Sequence, residues 1–225
     1  MESLAEALAL APGVTAVIGG GGKTTLLRVL GESLAAEGHT VLLCATTKIY
    51  PFPGLENLRS PTEEVLREAL ARRRLVCAGE PAGGTGKLTA PAIPMARLAA
   101  LADFVLAEAD GSAGRPLKAH AAHEPAVPPE AGQTVFVVGA SGFGRPIRDA
   151  AHRSALYAAR AGAAEDAPAS PALEAAVRLA EGLPDRVLVN QAETPEALRA
   201  AALLAERLPC PVLAGSLWRR ELVQC

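Results

Sequence analysis

Lys23, Thr24 and Thr25 stand directly behind four consecutive glycines, Gly19, Gly20, Gly21 and Gly22. That order suits the holding of an anion with several oxygens. Glycine backbone can curl its N–H groups around phosphate oxygens where a Cβ would collide. A lysine closing such a turn reaches the β and γ phosphates of a nucleotide, and the hydroxyl after it can ligate Mg²⁺. Gly19 to Gly22, Lys23, Thr24 and Thr25 are therefore the expected nucleotide contacts, with Lys23 also a catalytic candidate. Farther along, Glu108 and Asp110 leave the end of the apolar run Phe104-Val105-Leu106-Ala107. Burying two unpaired carboxylates together costs several kcal/mol, which a divalent cation would offset. Thr24, Glu108 and Asp110 are expected to hold Mg²⁺, directly or through water, and one carboxylate to orient an attacking water.

These groups need a strand, a turn, a helix and a neighbouring strand to bring them together. Residues 14–18 read as a buried strand, and residues 24–37 carry a helical apolar pattern. Further strand candidates are 40–45, 75–78, 104–107, 134–138, 186–189 and 211–213. Several are apolar at consecutive positions, which marks strands covered on both faces. Helical patterns at 62–72, 93–101, 151–160, 171–181 and 195–208 alternate with them. The expected fold is α/β: a three-layer, mainly parallel sheet of about seven strands, resembling P-loop NTPases. One domain over residues 1–225 is expected, with an irregular insertion around 110–133. A second Gly-Lys run, residues 83–87, precedes Pro91 and Pro94 instead of a helix, so a hairpin or surface turn is expected there.

Other polar groups follow strand ends, where ligands of open α/β sheets bind. Thr46, Thr47 and Lys48 follow the second strand. Arg115 and Lys118 are candidate cations for phosphate or an anionic substrate, against ordinary solvated charge. His120, His123 and Glu124 suggest a metal site, but the flanking prolines oppose a continuous helix, so the spacing argues weakly for one. Asn190-Gln191-Ala192-Glu193 after one strand and Ser216 after another resemble the pair of motifs with which GTPases read guanine. Gln191 and Glu193 stand in place of Lys and Asp, which leaves GTP only modestly favoured over ATP. Thr194 and Pro195 alternatively read as an ordinary helix start.

Across 225 residues, half are hydrophobic and 3% aromatic, so the core is expected to rest on Val, Leu and Ala. A net charge of −2 gives no sign of a nucleic-acid surface. Arg72, Arg73 and Arg74 suit a helix C-terminus. Four cysteines without metal-ligand spacing read as small buried hydrophobes in a reducing compartment. The amphipathic start lacks a basic segment and no apolar stretch is long enough to span a bilayer, so a cytoplasmic protein without membrane contact is expected.

Residues 19–25 form a shortened G-x-x-G-K-T-T that resembles the nucleotide loop of the Mur ligases; Val17 stands where the longer Walker pattern has its first glycine. Together with Thr46-Thr47-Lys48-Ile49, residues 108–112, Pro116-Leu117-Lys118, His123-Glu124-Pro125 with Pro128, residues 139–146 and His152-Arg153, the chain resembles the YqeC family. Ala113 and His120 depart from the family's pattern, which leaves His123 the better candidate of the two histidines. The resemblance implies an accessory role in maturation or cofactor insertion for a selenium-dependent molybdenum hydroxylase. Its implied partners are the molybdenum cofactor, the hydroxylase and other accessory proteins. A more distant similarity to metal-delivery GTPases lacks their cysteine motifs. The expected activity is thus Mg²⁺-dependent binding and hydrolysis of GTP or ATP, with Lys48, Lys118 or His123 stabilising transferred charge. A nucleotide-gated binding module with little turnover is the alternative, and a small-molecule kinase or ligase a further one.

Overall fold

A computed structural model describes residues 3–182 and 184–225. The fold is mixed α/β, with mainly parallel strands and covering helices, and the chain forms two compact units. The first comprises residues 3–17, 24–110 and 126–133. In chain order it contains α1 (Leu4–Ala7), β1 (Gly13–Gly19), α2 (Lys23–Ala36), β2 (Val41–Ala45), β3 (Glu56–Arg59), α3 (Glu63–Arg73), β4 (Leu75–Ala82), β5 (Lys87–Thr89), α4 (Met95–Leu101) and β6 (Phe104–Glu108). Ile18 and Gly19, at the end of β1, belong to the second unit.

Strand order in the first unit is β1-β6-β2-β4-β3, all parallel, with β5 antiparallel on β4. Alternation of side chains along these strands serves two layers of helix. Leu42, Cys44, Val76, Ala78, Val105 and Ala107 pack with Leu66, Leu70 and Leu98 of α3 and α4. On the opposite face Gly31 of α2 lies so close to Leu75 and Leu43 that a Cβ there would stand 2.8 Å and 3.2 Å from their methyl carbons. Cys44 and Cys77 are fully buried, and burial pushes each thiol up to about 12. Residues 83–87 form the turn of the β4–β5 hairpin. Arg74 ends α3 in the left-handed conformation (φ 59°), and Arg72 pairs with Glu56 at 2.7 Å.

The second unit comprises residues 18–23, 111–125 and 134–225, apart from residue 183. Its elements are β7 (Leu117–Lys118), β8 (Ala131–Gly139, entering the unit at Thr134), α5 (Ile147–Ala150), β9 (Ala151–His152), α6 (Ser154–Ala161), α7 (Pro171–Glu181), β10 (Arg186–Asn190), α8 (Pro195–Ala205), β11 (Val212–Ser216) and β12 (Glu221–Gln224). Strands β8, β10 and β11 are parallel neighbours, and β12 returns antiparallel along β11. The short β7 pairs with β9. Thr194 caps α8 by accepting from the Ala197 N–H at 3.2 Å, with Pro195 in its first turn.

All seven strands expected from the sequence are present. The helix expected over 151–160 starts late: residues 151–152 pair as β9, and Arg153 turns left-handed (φ 60°) before α6 begins at Ser154. Strands β3, β5 and β12 escape an apolar-run search because they are short and hold partly exposed polar residues.

Candidate functional site

In the first unit two of the expected cation ligands, Thr24 and Glu108, meet at the end of β6, and Asp110 lies two residues beyond it. Glu108 is flanked in register by Val17 of β1 and Ala45 of β2. The Thr24 hydroxyl, in the first turn of α2, donates to Glu108 Oε2 at 2.8 Å. Backbone pairing continues past the strand, where the Ala109 N–H donates to the Val17 carbonyl at 3.0 Å and the Thr46 N–H to the Glu108 carbonyl at 3.0 Å. Glu108 is 7% exposed and Asp110 wholly buried. Among the described residues the Thr46 and Thr47 hydroxyls are buried without a hydrogen-bond partner. The Thr24 hydroxyl and the Glu108 carboxylate are in contact, Asp110 follows two residues on, and oxygen donors of this kind are what hard divalent cations take. These residues fit Mg²⁺. Lys48 is exposed, and Thr25 is half-buried.

In the second unit residues 18–23 run along the carboxyl ends of β8 and β10. The Gly20 N–H donates to the Val137 carbonyl (2.8 Å) and the Gly21 N–H to the Arg115 carbonyl (3.2 Å). Lys23 is 4% exposed, with its Nζ 2.7 Å from the Gly19 carbonyl. Asn190 Nδ2 donates to the Gly21 carbonyl at 2.8 Å, and its Oδ1 accepts from the Leu217 N–H at 3.0 Å. Close packing is itself a reason for glycine at these positions. A Cβ on Gly21 (φ +73°) would stand 2.4 Å from Gly139 N, and one on Gly22 (φ +138°) 2.4 Å from Asn190 Nδ2. Cβ atoms on Gly19 and Gly20 would meet the Val137 and Arg115 carbonyls at 2.3 Å and 2.6 Å. The turn is thus packed on three sides by the protein itself.

Lys118 has a wholly buried side chain, donating to the Gly111 carbonyl at 2.5 Å and paired with Glu124 Oε1 at 3.3 Å. Arg153 Nε binds the other Glu124 oxygen at 2.8 Å. Burial pushes the Glu124 carboxyl up, but the Arg153 hydrogen bond and the Lys118 charge outweigh it and bring it down to about 2. A carboxyl held below its unfolded value of 4.5 stabilises the fold fully above that pH and loses the contribution as pH falls toward 2. Wild-type unfolding free energy should therefore drop by about 3 kcal/mol more than that of Glu124→Gln across that window, measured by urea titration. Equal acid sensitivity of the two proteins would contradict the assignment.

His123 is exposed, whereas His120 is 5% exposed and its Nδ1 lies 2.7 Å from Glu181 Oε2. Among the described residues no cluster of three or more His, Cys, Asp or Glu side chains is arranged to hold a metal. Glu193 is exposed and lines a cavity of about 140 Å³ with Ala192, Gly215, Ser216 and Arg219.

The sequence reading missed the network beneath residues 117–124. Arg178 of α7, 1% exposed, pairs with Glu174 (2.9 Å) and Glu181 (2.9 Å), and its Nη2 donates to the Lys118 carbonyl at 2.6 Å. The Tyr157 hydroxyl donates to Glu174 at 2.8 Å, and Arg160 binds both Glu181 and the His120 carbonyl. Burial pushes the Glu174 carboxyl up, against the pull of Arg178. Glu181 ends below the usual range, because burial is outweighed by the His120 hydrogen bond and the Arg178 charge. The i, i+4 and i, i+3 spacing of Glu174, Arg178 and Glu181 was the available signal.

Comparison with known proteins adds a family. Residues 15–155 match the family model for the YqeC protein. The chain is similar to the YqeC protein of Escherichia coli (strain K12), at 33% identity over 162 residues, 69% of this chain and 63% of that protein. The match therefore spans under two thirds of that relative's length. The glycine turn, Glu108, Asp110 and Lys118 lie inside the family match; Asn190, Glu193 and Ser216 lie beyond it.

Proposed function

We propose, from the premise that the chain belongs to the YqeC family, that it is a Mg²⁺-dependent nucleoside triphosphate-binding protein with hydrolytic activity. Gly19 to Lys23 hold phosphate oxygens. Thr24, Glu108 and Asp110 hold Mg²⁺, which when bound neutralises phosphate charge. One of the two carboxylates orients the attacking water, and Lys48, Lys118 and His123 are the candidates for stabilising transferred charge. The single observation that carries this reading is the 2.8 Å contact between Thr24 and Glu108. It joins a hydroxyl at a helix start, next in the chain to Lys23, to a carboxylate at a strand end. The process served is maturation of a molybdenum hydroxylase or insertion of its cofactor, as the resemblance to YqeC accessory proteins implies. Among the described residues no helix is long and apolar enough to cross a membrane, and a cytoplasmic setting belongs to the same proposal.

Calorimetric titration with GTP and with ATP, each with Mg²⁺ and with EDTA, tests it. Binding is expected to weaken at least tenfold without Mg²⁺, and the isolated protein to release phosphate. Absence of binding by both nucleotides would remove the reading, and indifference to Mg²⁺ would remove the cation's role.

A second reading has its own support. The Gly21 N–H and the Gly139 N–H bind the Arg115 and Pro116 carbonyls, which ties the glycine turn to residues 111–125. A phosphate claiming the Gly21 N–H would free that segment, as in a nucleotide-gated binding module. Nucleotide binding without phosphate release, accompanied by altered proteolysis of residues 111–125, would favour it.

A further inference from the structure

The chain's one tryptophan, Trp218, is 90% exposed in the turn between β11 and β12. An indole left in water offers a flat apolar face on which another ring can stack. Its neighbours are not loose. Leu217 is 1% exposed and its N–H is held by Asn190 Oδ1 at 3.0 Å, while the Arg219 N–H donates to the Ser216 hydroxyl at 3.3 Å. Asn190 carries the connection onward, since its Nδ2 binds the Gly21 carbonyl. Leu217 Cδ1 lies 3.8 Å from where a Cβ on Gly22 would stand. The indole therefore projects from a turn pinned to the glycine loop by a single amide side chain.

The groups able to read a base edge beside this turn are mostly engaged. Both polar atoms of Asn190 are used, and Gln191 Oε1 accepts from the Ser141 hydroxyl at 2.6 Å. The Ser216 hydroxyl accepts from Arg219. Glu193 remains, at the wall of the small cavity with Ala192, Gly215 and Arg219. A carboxylate only accepts, and both adenine and guanine offer it an exocyclic amine. Edge recognition of this kind separates the purines weakly, whereas stacking on an aromatic face tolerates either base.

Resting on the nucleotide reading above, we infer that Trp218 is the stacking platform for the nucleobase, and that the site accepts purine triphosphates generally. Selectivity for GTP over ATP is then below about tenfold, the size of one modest hydrogen-bond difference.

Because there is one tryptophan, its emission reports the site directly. Intrinsic fluorescence should change on titration with Mg²⁺-GTP and Mg²⁺-ATP, and not with inorganic tripolyphosphate, which has no base. Calorimetry on Trp218→Ala should show both nucleotides weakened roughly 5- to 150-fold, the range for loss of one base–aromatic stack. Tripolyphosphate affinity should stay unchanged, and Trp218→Phe should restore most of the loss. Nucleotide binding of equal strength in wild type and Trp218→Ala overturns the inference and leaves the phosphate reading standing. Weakening of tripolyphosphate in parallel with the nucleotides also overturns it, by pointing to a damaged loop. Failure of all three ligands to bind wild type removes both proposals.

Discussion

Lys23→Ala is expected to lower affinity for Mg²⁺-nucleotide by roughly 30- to 5,000-fold, the consequence of deleting one member of a desolvated charge pair. For a micromolar ligand that takes binding beyond the reach of calorimetry. The size follows from where the ammonium sits. Lys23 is 4% exposed and held at 2.7 Å by the Gly19 carbonyl, so it is already desolvated at the mouth of the turn. The backbone supplies only partial charges, two of whose N–H groups are engaged with Val137 and Arg115 carbonyls. Among its losses the fold gives up the hydrogen bond from the Lys23 ammonium to the Gly19 carbonyl, about 1.5–3 kcal/mol for a charged donor. Circular dichroism should therefore match wild type while the titration goes flat. Undiminished binding in a folded Lys23→Ala protein would remove the phosphate role of the turn.

Arg178→Ala should cost about 3–5 kcal/mol in urea unfolding, the usual range for stranding buried partners of an ion pair. Glu174 is wholly buried, and Glu181 sits on both Arg178 and His120. Removal of the guanidinium leaves two carboxylates competing for Tyr157, His120 and Arg160, and strips the cation stacked 3.9 Å from the Phe136 ring centroid. The comparison is Arg199→Ala. That side chain and its partner Glu196 are 67% and 74% exposed, and a solvent-screened pair of this kind contributes little. Equal unfolding midpoints for the two variants would show that the α7 network carries no special stability. A function follows too, because Arg178 binds the Lys118 carbonyl and so fixes the segment carrying Lys118 and Glu124.

The strands were readable because burial on both faces leaves consecutive apolar residues, as in Val41–Ala45 and Phe104–Glu108. The same search passes over Glu221–Gln224, an edge strand with exposed residues, where pairing needs only one neighbour. At the site, Thr24 and Glu108 were readable as a pair because each stands at the end of a recognisable element. The surroundings of Lys118 were not. A lysine in a Pro-rich segment looks like surface charge, and only the fold brings Arg178 of α7 to its carbonyl and Arg153, just before α6, to its partner Glu124.

The sequence by itself determined the glycine turn, the helix that begins at its lysine and the apolar strand that delivers two carboxylates. Each is a matter of local backbone freedom and side-chain period. Only the tertiary structure decided that Asn190, 169 residues from Gly21, clamps the turn, and that Leu217 stands beside it. The physical reason is that periodicity fixes which face of an element is buried, while the partner across that face depends on strand order. Strand order is settled by packing of the whole chain, and no local spacing encodes it.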